Sequence, residues 1–359
     1  GSQSIIEIRN ANAWRLASTP QGQEDLFPEG NFNGDLAYGF NRAQLAWYSI
    51  DPLFFSETDS RTPGYLKNSD SQANNYSRGV LQTEVFPNKA VDPAQNQLIQ
   101  TLDLAYYPTE RGPYNYDVSG RPGVSSGLNP NGSLKDPTTR WGGIMRDLQT
   151  SDFEASNVGF IQFWVMDPFA EQDGNPNQKG GELYFNIGSI SEDILKDGRL
   201  MFENGLPSEG GNQNTSSVIW GRIPTVSYII NAFDNNPNAR DNQDVGLDGL
   251  KNDAERSNFT DYMTQLQNTL DANAFNDFSA DPSNDDFHYY RGADYDQQQL
   301  SILERYKRFN GTEGNSPAQS TSADFSTSST TLPDNEDLNG NFSLDRTEAY
   351  YQYKVNLSP

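Results

Sequence analysis

The sequence predicts a mainly β fold of sandwich-like or jelly-roll-like strands with a helical insertion that carries acidic loops, so that the chain is α+β overall. Three observations support this fold class. Aromatic residues make up 12% of the 359 residues, which is too many for a disordered acidic chain. Short runs of alternating apolar residues, separated by turn formers, fill about the first 200 positions. Helical spacing of apolar residues begins only after them.

The first predicted part, residues 1–116, is rich in strands that are joined by long connections. A polar segment at 56–79 is expected to form an exposed loop. The Gly-, Pro- and Asn-rich stretch that follows, 117–140, is compatible both with a linker and with a long ordered loop. Alternation predicts strands within residues 5–17, 34–50 and 96–108.

The second part, residues 117–221, gives the strongest β signal and is predicted to form the jelly-roll-like sandwich. Phe160 and Trp164 alternate with Gln162, so their rings are expected on a core face. An exposed platform for stacking sugars is the alternative. The short predicted strands are 140–148, 158–169, 181–190 and 199–204.

Helical spacing characterises residues 222–312, the predicted helical insertion. Its Asp-rich stretches at 234–244 and 275–296 are expected to be loops. The last part, 313–359, is predicted to hold a flexible Ser/Thr tract, a calcium-like loop and a closing strand. Helices are predicted within residues 225–233, 250–270 and 297–310.

The composition excludes several classes of function. A formal charge of −24 opposes binding to nucleic acids and to anionic membranes, whereas it suits divalent cations. Without cysteine there are no disulfides or thiolate metal sites, and one histidine, His288, cannot build a His-rich zinc site. His288 is expected to be structural, because no nucleophile motif accompanies it. The opening Gly1-Ser2 is typical of an expression remnant, so a longer parent chain is expected.

A twelve-residue loop at 337–348, DLNGNFSLDRTE, carries oxygen-bearing side chains at the spacing of a calcium loop. Position six is Phe342, where an EF-hand has glycine, and a strand-like run rather than a helix follows. An ordinary polar turn is the alternative. The candidate ligands, at positions one, three, five, seven, nine and twelve, are Asp337, Asn339, Asn341, Ser343, Asp345 and Glu348.

A second stretch at 244–255, DVGLDGLKNDAE, matches the calcium-loop spacing less completely. Asp244, Asp248 and Glu255 stand at positions one, five and twelve, and position six is glycine. Position three is Gly246, which offers no side-chain ligand. A helix N-cap at Asp248, followed by acidic residues in the first turn, is the alternative.

Five long segments of the chain carry a resemblance to a known family. They include RWGGIMRDLQTSDFEASNVGFIQFWVMDPF and DLNGNFSLDRTEAYYQYKVNLSP, and the N-terminal third is compatible but less distinctive. Their positions are 140–169, 181–207, 220–236, 243–250 and 337–359. These segments resemble the SprA/Sov family, the outer-membrane translocon of the type IX secretion system, which is also required for gliding motility in some bacteria.

The resemblance implies a part in protein export rather than in catalysis. The family forms a very large β-barrel through which folded cargo passes, and it is not known as an enzyme. Its partners include a PorV-type barrel subunit, a periplasmic plug protein and secreted cargo with C-terminal signal domains, besides the rest of the translocon chain. Because 359 residues cannot supply such a barrel, a water-soluble piece inserted between barrel strands is expected. The cell surface is the preferred location, with the periplasmic face as the alternative.

The predicted function is therefore a non-enzymatic structural and interaction domain of the translocon, in which calcium holds the acidic loops together. A cell-surface carbohydrate-binding module is the alternative, motivated by the jelly-roll-like segment and by the Trp and Tyr content. A glycosidase would need two carboxylates that face each other across a cleft, and no motif argues for one.

Overall fold

The computed structural model describes residues 5–67, 70–90, 92, 97–150, 152–169, 180–226, 229–318 and 327–357. Five predicted features extend beyond this part of the chain. They do so at residues 68–69 of the polar loop, 96 of the predicted strand at 96–108, 151 and 170–179 of the predicted sandwich, 227–228 of the first predicted helix and 319–326 of the Ser/Thr tract. Helices and strands occur together in the described residues, and the α+β class is confirmed.

The strands of the described residues are short and pair only two at a time. They are β1 (Arg15–Leu16), β2 (Ala43–Tyr48), β3 (Asp103–Arg111), β4 (Ile144–Met145), β5 (Gly181–Ser189), β6 (Thr215–Val218), β7 (Gly221–Pro224) and β8 (Ala349–Leu357). All pairings are antiparallel: β1 with β4, β2 with β3, β5 with β8, and β6 with β7. A β-sandwich is not confirmed, because these sheets have two strands each.

The ribbon of β5 and β8 is the longest uninterrupted pairing. It lies where the sequence predicts two strands, at 181–190 and directly after the calcium-like loop. All nine residues of each strand pair with the other strand. Since Ser189 is the partner of Ala349, the intervening residues 190–348 leave and return at the same end of the ribbon.

The prediction that residues 158–169 form a strand with a buried aromatic face is wrong. The segment has no regular secondary structure and belongs to none of the sheets in the described residues. Phe160 and Trp164 are 67% and 70% exposed. Alternation predicts that the two faces of a segment differ, but a ring becomes buried only where a second layer covers it.

Other predicted strands form over only part of their length. Within 199–204, Phe202 makes an isolated bridge to Asn335 instead of a strand. Turn formers interrupt these segments and keep the ladders short. The parts that form are β1 within 5–17, β2 within 34–50, β3 starting within 96–108, and β4 within 140–148.

The longer α-helices are concentrated after residue 236. The helices are α1 (Asp70–Ala73), α2 (Gln82–Val85), α3 (Pro237–Gln243), α4 (Asn252–Asn258), α5 (Thr260–Thr269), α6 (Ala272–Ala280), α7 (Ala293–Gln298) and α8 (Ile302–Tyr306). Short 3-10 helices occupy Ala11–Ala13, Leu36–Gly39, Pro52–Phe55, Gly64–Leu66, Pro137–Thr139 and Glu203–Gly205. No helix in the described ranges is long and apolar enough to cross a membrane.

The sequence predicts some of these helices and misses others. Helices α4 and α5 confirm the prediction at 250–270, whereas the described residues of 225–233 are not helical. Helices α3 and α6 overlap stretches predicted as loops. Asn236, within the predicted loop at 234–244, and Asp271, shortly before the predicted loop at 275–296, cap these helices by accepting backbone hydrogen bonds.

The main hydrophobic core draws side chains from β1 through α5. Trp220 and Tyr114 are fully buried in it. The segment 117–140 is an ordered loop rather than a linker, since Leu128 and Leu134 belong to the same core.

Buried carboxylates stabilise the irregular parts of the chain. Glu336 accepts hydrogen bonds from the backbone amides of Ile194, Leu195 and Met201 at 2.8, 3.2 and 3.1 Å. Glu203, which is also buried, accepts three further amide hydrogen bonds. These carboxylates satisfy buried backbone donors that no regular strand or helix reaches.

Candidate metal centre

Three buried carboxyl side chains meet in the interior: Asp248, Glu255 and Asp285. One carboxylate oxygen of each lies within 4.8 Å of the corresponding oxygens of the other two. Asp248 and Asp285 are 1% exposed, and Glu255 is 0% exposed. We call these three residues the carboxylate centre.

Separate segments of the chain supply the three members. Asp248 lies in the turn between α3 and α4, where its Oδ1 accepts a hydrogen bond from the Leu250 amide at 2.9 Å. This bond to a residue two positions later is typical of an Asp that starts a turn. Glu255 lies on the buried side of α4, and Asp285 lies between α6 and α7.

Ser283 links two members of the centre. Its hydroxyl donates to Oδ2 of Asp248 at 2.6 Å, and its backbone amide donates to Oε2 of Glu255 at 3.0 Å. Tyr114 holds the third member, because its hydroxyl donates to Oδ2 of Asp285 at 2.8 Å. Neutral donors therefore fix the orientation of all three carboxyl groups.

Gly246 explains how Asp285 approaches the second calcium-like loop. Gly246 has a φ of +76°, and a Cβ atom added to it would lie 2.1 Å from Oδ2 of Asp285. Only glycine leaves room for the carboxylate at this point. The loop position that offers no ligand in the sequence thus admits a carboxylate from a distant segment.

Several buried oxygens at this place lack a hydrogen-bond partner. They include Oε1 of Glu255 and Oδ1 of Asp285, together with Oδ1 of Asn252 and Oε2 of Glu313. Among the ion pairs of the described residues, none includes a member of the carboxylate centre. Because a buried polar atom without a partner costs about 1–3 kcal/mol, the arrangement favours binding of a further positive group.

Burial raises the pKa of Asp248, Glu255 and Asp285, and the neighbouring carboxylates raise it further. The pKa of Glu255 rises to about 10. Glu313 contributes to the raised pKa of both Glu255 and Asp285, and its own pKa rises to about 8. With an effective dielectric constant of about 20, two negative charges 4.8 Å apart repel by roughly 3 kcal/mol. At neutral pH the folded centre therefore favours protons or a cation.

The donor set of the centre suits a hard divalent cation. Calcium binds oxygen ligands at about 2.3–2.6 Å, so oxygens around one ion lie within roughly 5 Å of one another. The three carboxylates meet this limit. His288 takes no part: its Nε2 lies 2.9 Å from Oδ2 of Asp294, and its ring stacks on Tyr295.

The first calcium-like loop, 337–348, forms a tight turn. Asp337 accepts hydrogen bonds from the backbone amides of Asn341 and Phe342 at 3.0 and 2.9 Å. Phe342 has a φ of +63°, the conformation that glycine usually supplies at position six. Phe342 therefore adopts the left-handed conformation at position six although it is not glycine.

The candidate ligands in the middle of this loop form hydrogen bonds with one another. Oδ2 of Asp345 accepts hydrogen bonds from the side-chain amides of Asn339 and Asn341 at 2.8 and 2.9 Å. Oδ1 of Asn341 accepts one from the Ser343 hydroxyl at 2.7 Å. In contrast to the carboxylate centre, these oxygens are paired with protein donors.

Glu348 and Asp244 lie apart from the carboxylate centre. Glu348 accepts a hydrogen bond from the Gln21 amide at 2.7 Å. Asp244 accepts one from the Ser316 amide at 2.9 Å, and burial raises its pKa to about 7. Two of the predicted ligands, Asp248 and Glu255, are thus brought together, while metal binding by any of the nine stays a prediction.

The sequence does not single out Asp285, Asn252 or Glu313 as partners of the second loop. No regular spacing connects Asp285 and Glu313 with residues 244–255. Tertiary folding brings them there, and Val245 forms a bridge with Glu313. The available signal was the glycine at position three, which indicates a close approach by another group.

Residues 261–359 match the model of the SprA_N family, described as a motility related/secretion protein. The match covers just over a quarter of the chain and contains Asp285, Glu313 and the loop at 337–348. No curated protein matches the chain. Residues 261–359 are therefore similar to a motility- and secretion-related family, and the resemblance of the sequence to the SprA/Sov family is confirmed.

Proposed function

We propose that the chain is a non-enzymatic structural and interaction region of the outer-membrane translocon of the type IX secretion system, placed at the cell surface. The SprA_N match at residues 261–359 supports a role in secretion. The observation that carries the proposal of an inserted region is the β5–β8 ribbon. Because Ser189 pairs with Ala349, residues 190–348 enter and leave at one end of a paired strand unit.

The proposed partners are those that the SprA/Sov resemblance implies. They are the rest of the translocon chain, a PorV-type barrel subunit, a plug protein and secreted cargo with C-terminal signal domains. A formal charge of −24 disfavours nucleic acid as a partner. In bacteria that glide, the same region would serve motility through the secretion of motility proteins.

Calcium is the proposed structural ion of the acidic loops. The three buried carboxylates of the carboxylate centre support this part of the proposal. An ion that binds only the folded chain adds about 2.7 kcal/mol of stability when its concentration is about 100 times its Kd. Extracellular calcium at millimolar concentration fills sites of modest affinity, which agrees with a location at the cell surface.

Labelling of single cysteines tests the location, because the chain has no cysteine of its own. Gln267→Cys, on the exposed side of α5, is introduced into the whole protein in its native cells. We expect a membrane-impermeant maleimide to label it in intact cells. Ala274→Cys, which replaces a residue only 7% exposed, is the control and should react only after unfolding. Labelling of Gln267→Cys only after the outer membrane is permeabilised would place the region at the periplasmic face.

Exposed aromatic side chains favour a second candidate, a carbohydrate-binding surface. Trp164 and Phe160 are 70% and 67% exposed, and exposed rings can stack on sugars. Retention of the protein on a glycan panel, with loss in Trp164→Ala, would support this function. Equal behaviour of both proteins on every glycan would remove it.

A further inference from the structure

We propose that the carboxylate centre, completed by Asn252 and Glu313, is a buried calcium site that ties three distant segments of the chain together. The segments are 244–255, 281–286 and 311–313. The inference rests on the calcium part of the proposed function and assigns the ion to the interior rather than to the loop at 337–348.

The unpaired oxygens carry the proposal. Glu255 and Asp285 are 0% and 1% exposed, yet Oε1 of Glu255 and Oδ1 of Asp285 accept no hydrogen bond. Their second oxygens are already held by Ser283 and Tyr114. Each carboxylate is thus fixed on one side and open on the other. A cation bound by oxygen ligands requires this arrangement.

Asn252 and Glu313 extend the donor set. Nδ2 of Asn252 donates to both carboxylate oxygens of Asp286, at 2.9 and 3.1 Å, and this fixes the amide while its buried Oδ1 remains without a donor. The backbone of Asp286 also forms an isolated β-bridge with the backbone of Glu313. Asp286 therefore fixes the Asn252 amide through its side chain and keeps residue 313 alongside through its backbone, without needing to touch the ion.

Among the described residues, no basic side chain forms an ion pair with these carboxylates, although the charges of Lys251 and Arg222 interact with Glu313 and Asp248. Arg308 donates to Asp281 at 2.6 Å, and Arg256 pairs with Asp253. Up to four negative charges could be present at the site, on Asp248, Glu255, Asp285 and Glu313. One calcium ion offsets two of them. Calcium binding therefore displaces protons from the site, and its affinity increases with pH.

A cavity borders the proposed site at Asp285. Its volume is ≈ 560 Å³, and its lining includes Asp285, Tyr114 and Thr312. The cavity is large enough for several water molecules, so it can admit a hydrated ion. Tyr114, whose hydroxyl lies 2.8 Å from Asp285, would also transfer excitation energy to terbium bound in place of calcium.

The decisive test compares Glu255→Gln with the native chain by thermal melting, in EDTA and in millimolar calcium. The native chain is expected to gain about 5 °C with calcium. Glu255→Gln keeps an oxygen for the Ser283 amide and removes the charge. It should therefore melt at or above the native temperature in EDTA, gain nothing with calcium and lose sensitised terbium luminescence. Asp285→Asn should lose the calcium gain in the same way.

Two control variants show whether the calcium gain belongs to this site. Asp277→Asn removes one exposed charge on α6 and should keep the full calcium gain. Asp337→Asn alters the loop at 337–348 and should keep it as well. A merely structural Glu255 would instead make Glu255→Gln less stable by the same amount with and without calcium, which would overturn the proposal.

The remaining outcomes distinguish this inference from the proposed function. If Glu255→Gln keeps the calcium gain and Asp337→Asn loses it, the ion occupies the other loop, so the present assignment fails and the calcium part of the function stands. If the native chain gains nothing with calcium, both fail. Labelling of Gln267→Cys tests the surface location independently of either result.

Discussion

Two regions of this chain contain buried carboxylates, but the hydrogen bonding of their oxygens differs. Around Glu336 the oxygens accept hydrogen bonds from the amides of Ile194, Leu195 and Met201. In the carboxylate centre, by contrast, Glu255 and Asp285 each keep a buried oxygen without a donor. The contrast shows that burial of an acid requires a positive partner, which is the backbone amide in one region and, as we propose, calcium in the other.

The local backbone explains why the partners differ. Glu336 faces irregular chain, where amides have no carbonyl of their own to bond with. Glu192 behaves in the same way and accepts amide hydrogen bonds from Leu338, Asn339 and Asp345. Glu255 lies on α4, where most amides beyond the first turn already donate to carbonyls of the helix. The carboxylate centre therefore has few backbone donors to recruit.

The largest expected effect comes from removing an amide-bound carboxylate. Glu336→Ala leaves three buried amides without acceptors and should lower the free energy of unfolding by about 3 kcal/mol or more. Urea unfolding measures the loss, which should be equal in EDTA and in calcium. Glu336→Gln, which retains one oxygen acceptor, should lose less. If Glu336→Ala lowered the free energy of unfolding only when calcium is present, Glu336 would also depend on an ion, and the two regions would not differ as we propose.

The pH dependence of stability, compared with and without calcium, should separate the regions next, since burial raises the pKa of Glu336 as well as that of Glu255. The pKa of Glu255 in the folded chain is about 10 and that of Glu313 about 8, both above the ordinary value of 4.5. Such groups contribute stability below the ordinary pKa and lose it as pH rises through the folded pKa. In EDTA the melting temperature should therefore fall between about pH 5 and about pH 8.

Calcium should flatten the part of this trend that comes from the centre, because it replaces the protons of the centre. Melting curves at about pH 5 and about pH 8, with EDTA and with calcium, measure how the melting temperature changes with pH in each condition. The matched control is Glu255→Gln. The difference between its melting temperature and that of the native chain, taken at each pH, separates the contribution of the carboxylate centre from that of other buried acids. Parallel slopes with and without calcium would contradict the assignment of the ion to this centre.

The smallest effect is expected in the loop at 337–348. Asp337→Ala removes the acceptor for the amides of Asn341 and Phe342 and should cost about 1–2 kcal/mol. The loss should be the same in EDTA and calcium, as measured by urea unfolding. A loss several times larger in calcium than in EDTA would indicate that Asp337 binds an ion as well as backbone amides.

The elements that depend on local pattern were predicted well. The closing strand β8 and the strand β5 follow from period-two alternation, and α4 and α5 from helical spacing. The aromatic run at 158–169 shows the limit of this reasoning. Its alternation is real, but Phe160 and Trp164 are exposed because no second layer covers them.

Residue types alone established that the chain is strongly acidic and has no cysteine. Their spacing established that Asp248 and Glu255 stand at calcium-loop positions within residues 244–255. Tertiary packing was needed to bring Asp285 and Glu313 to them, and to pair the ligands of the loop at 337–348 mainly with protein donors. The spacing of residue types along the sequence predicts contacts only between residues within about a dozen positions of one another, because it acts through the local backbone conformation. Contacts between distant segments depend on how the whole core packs, and here they assemble the carboxylate centre.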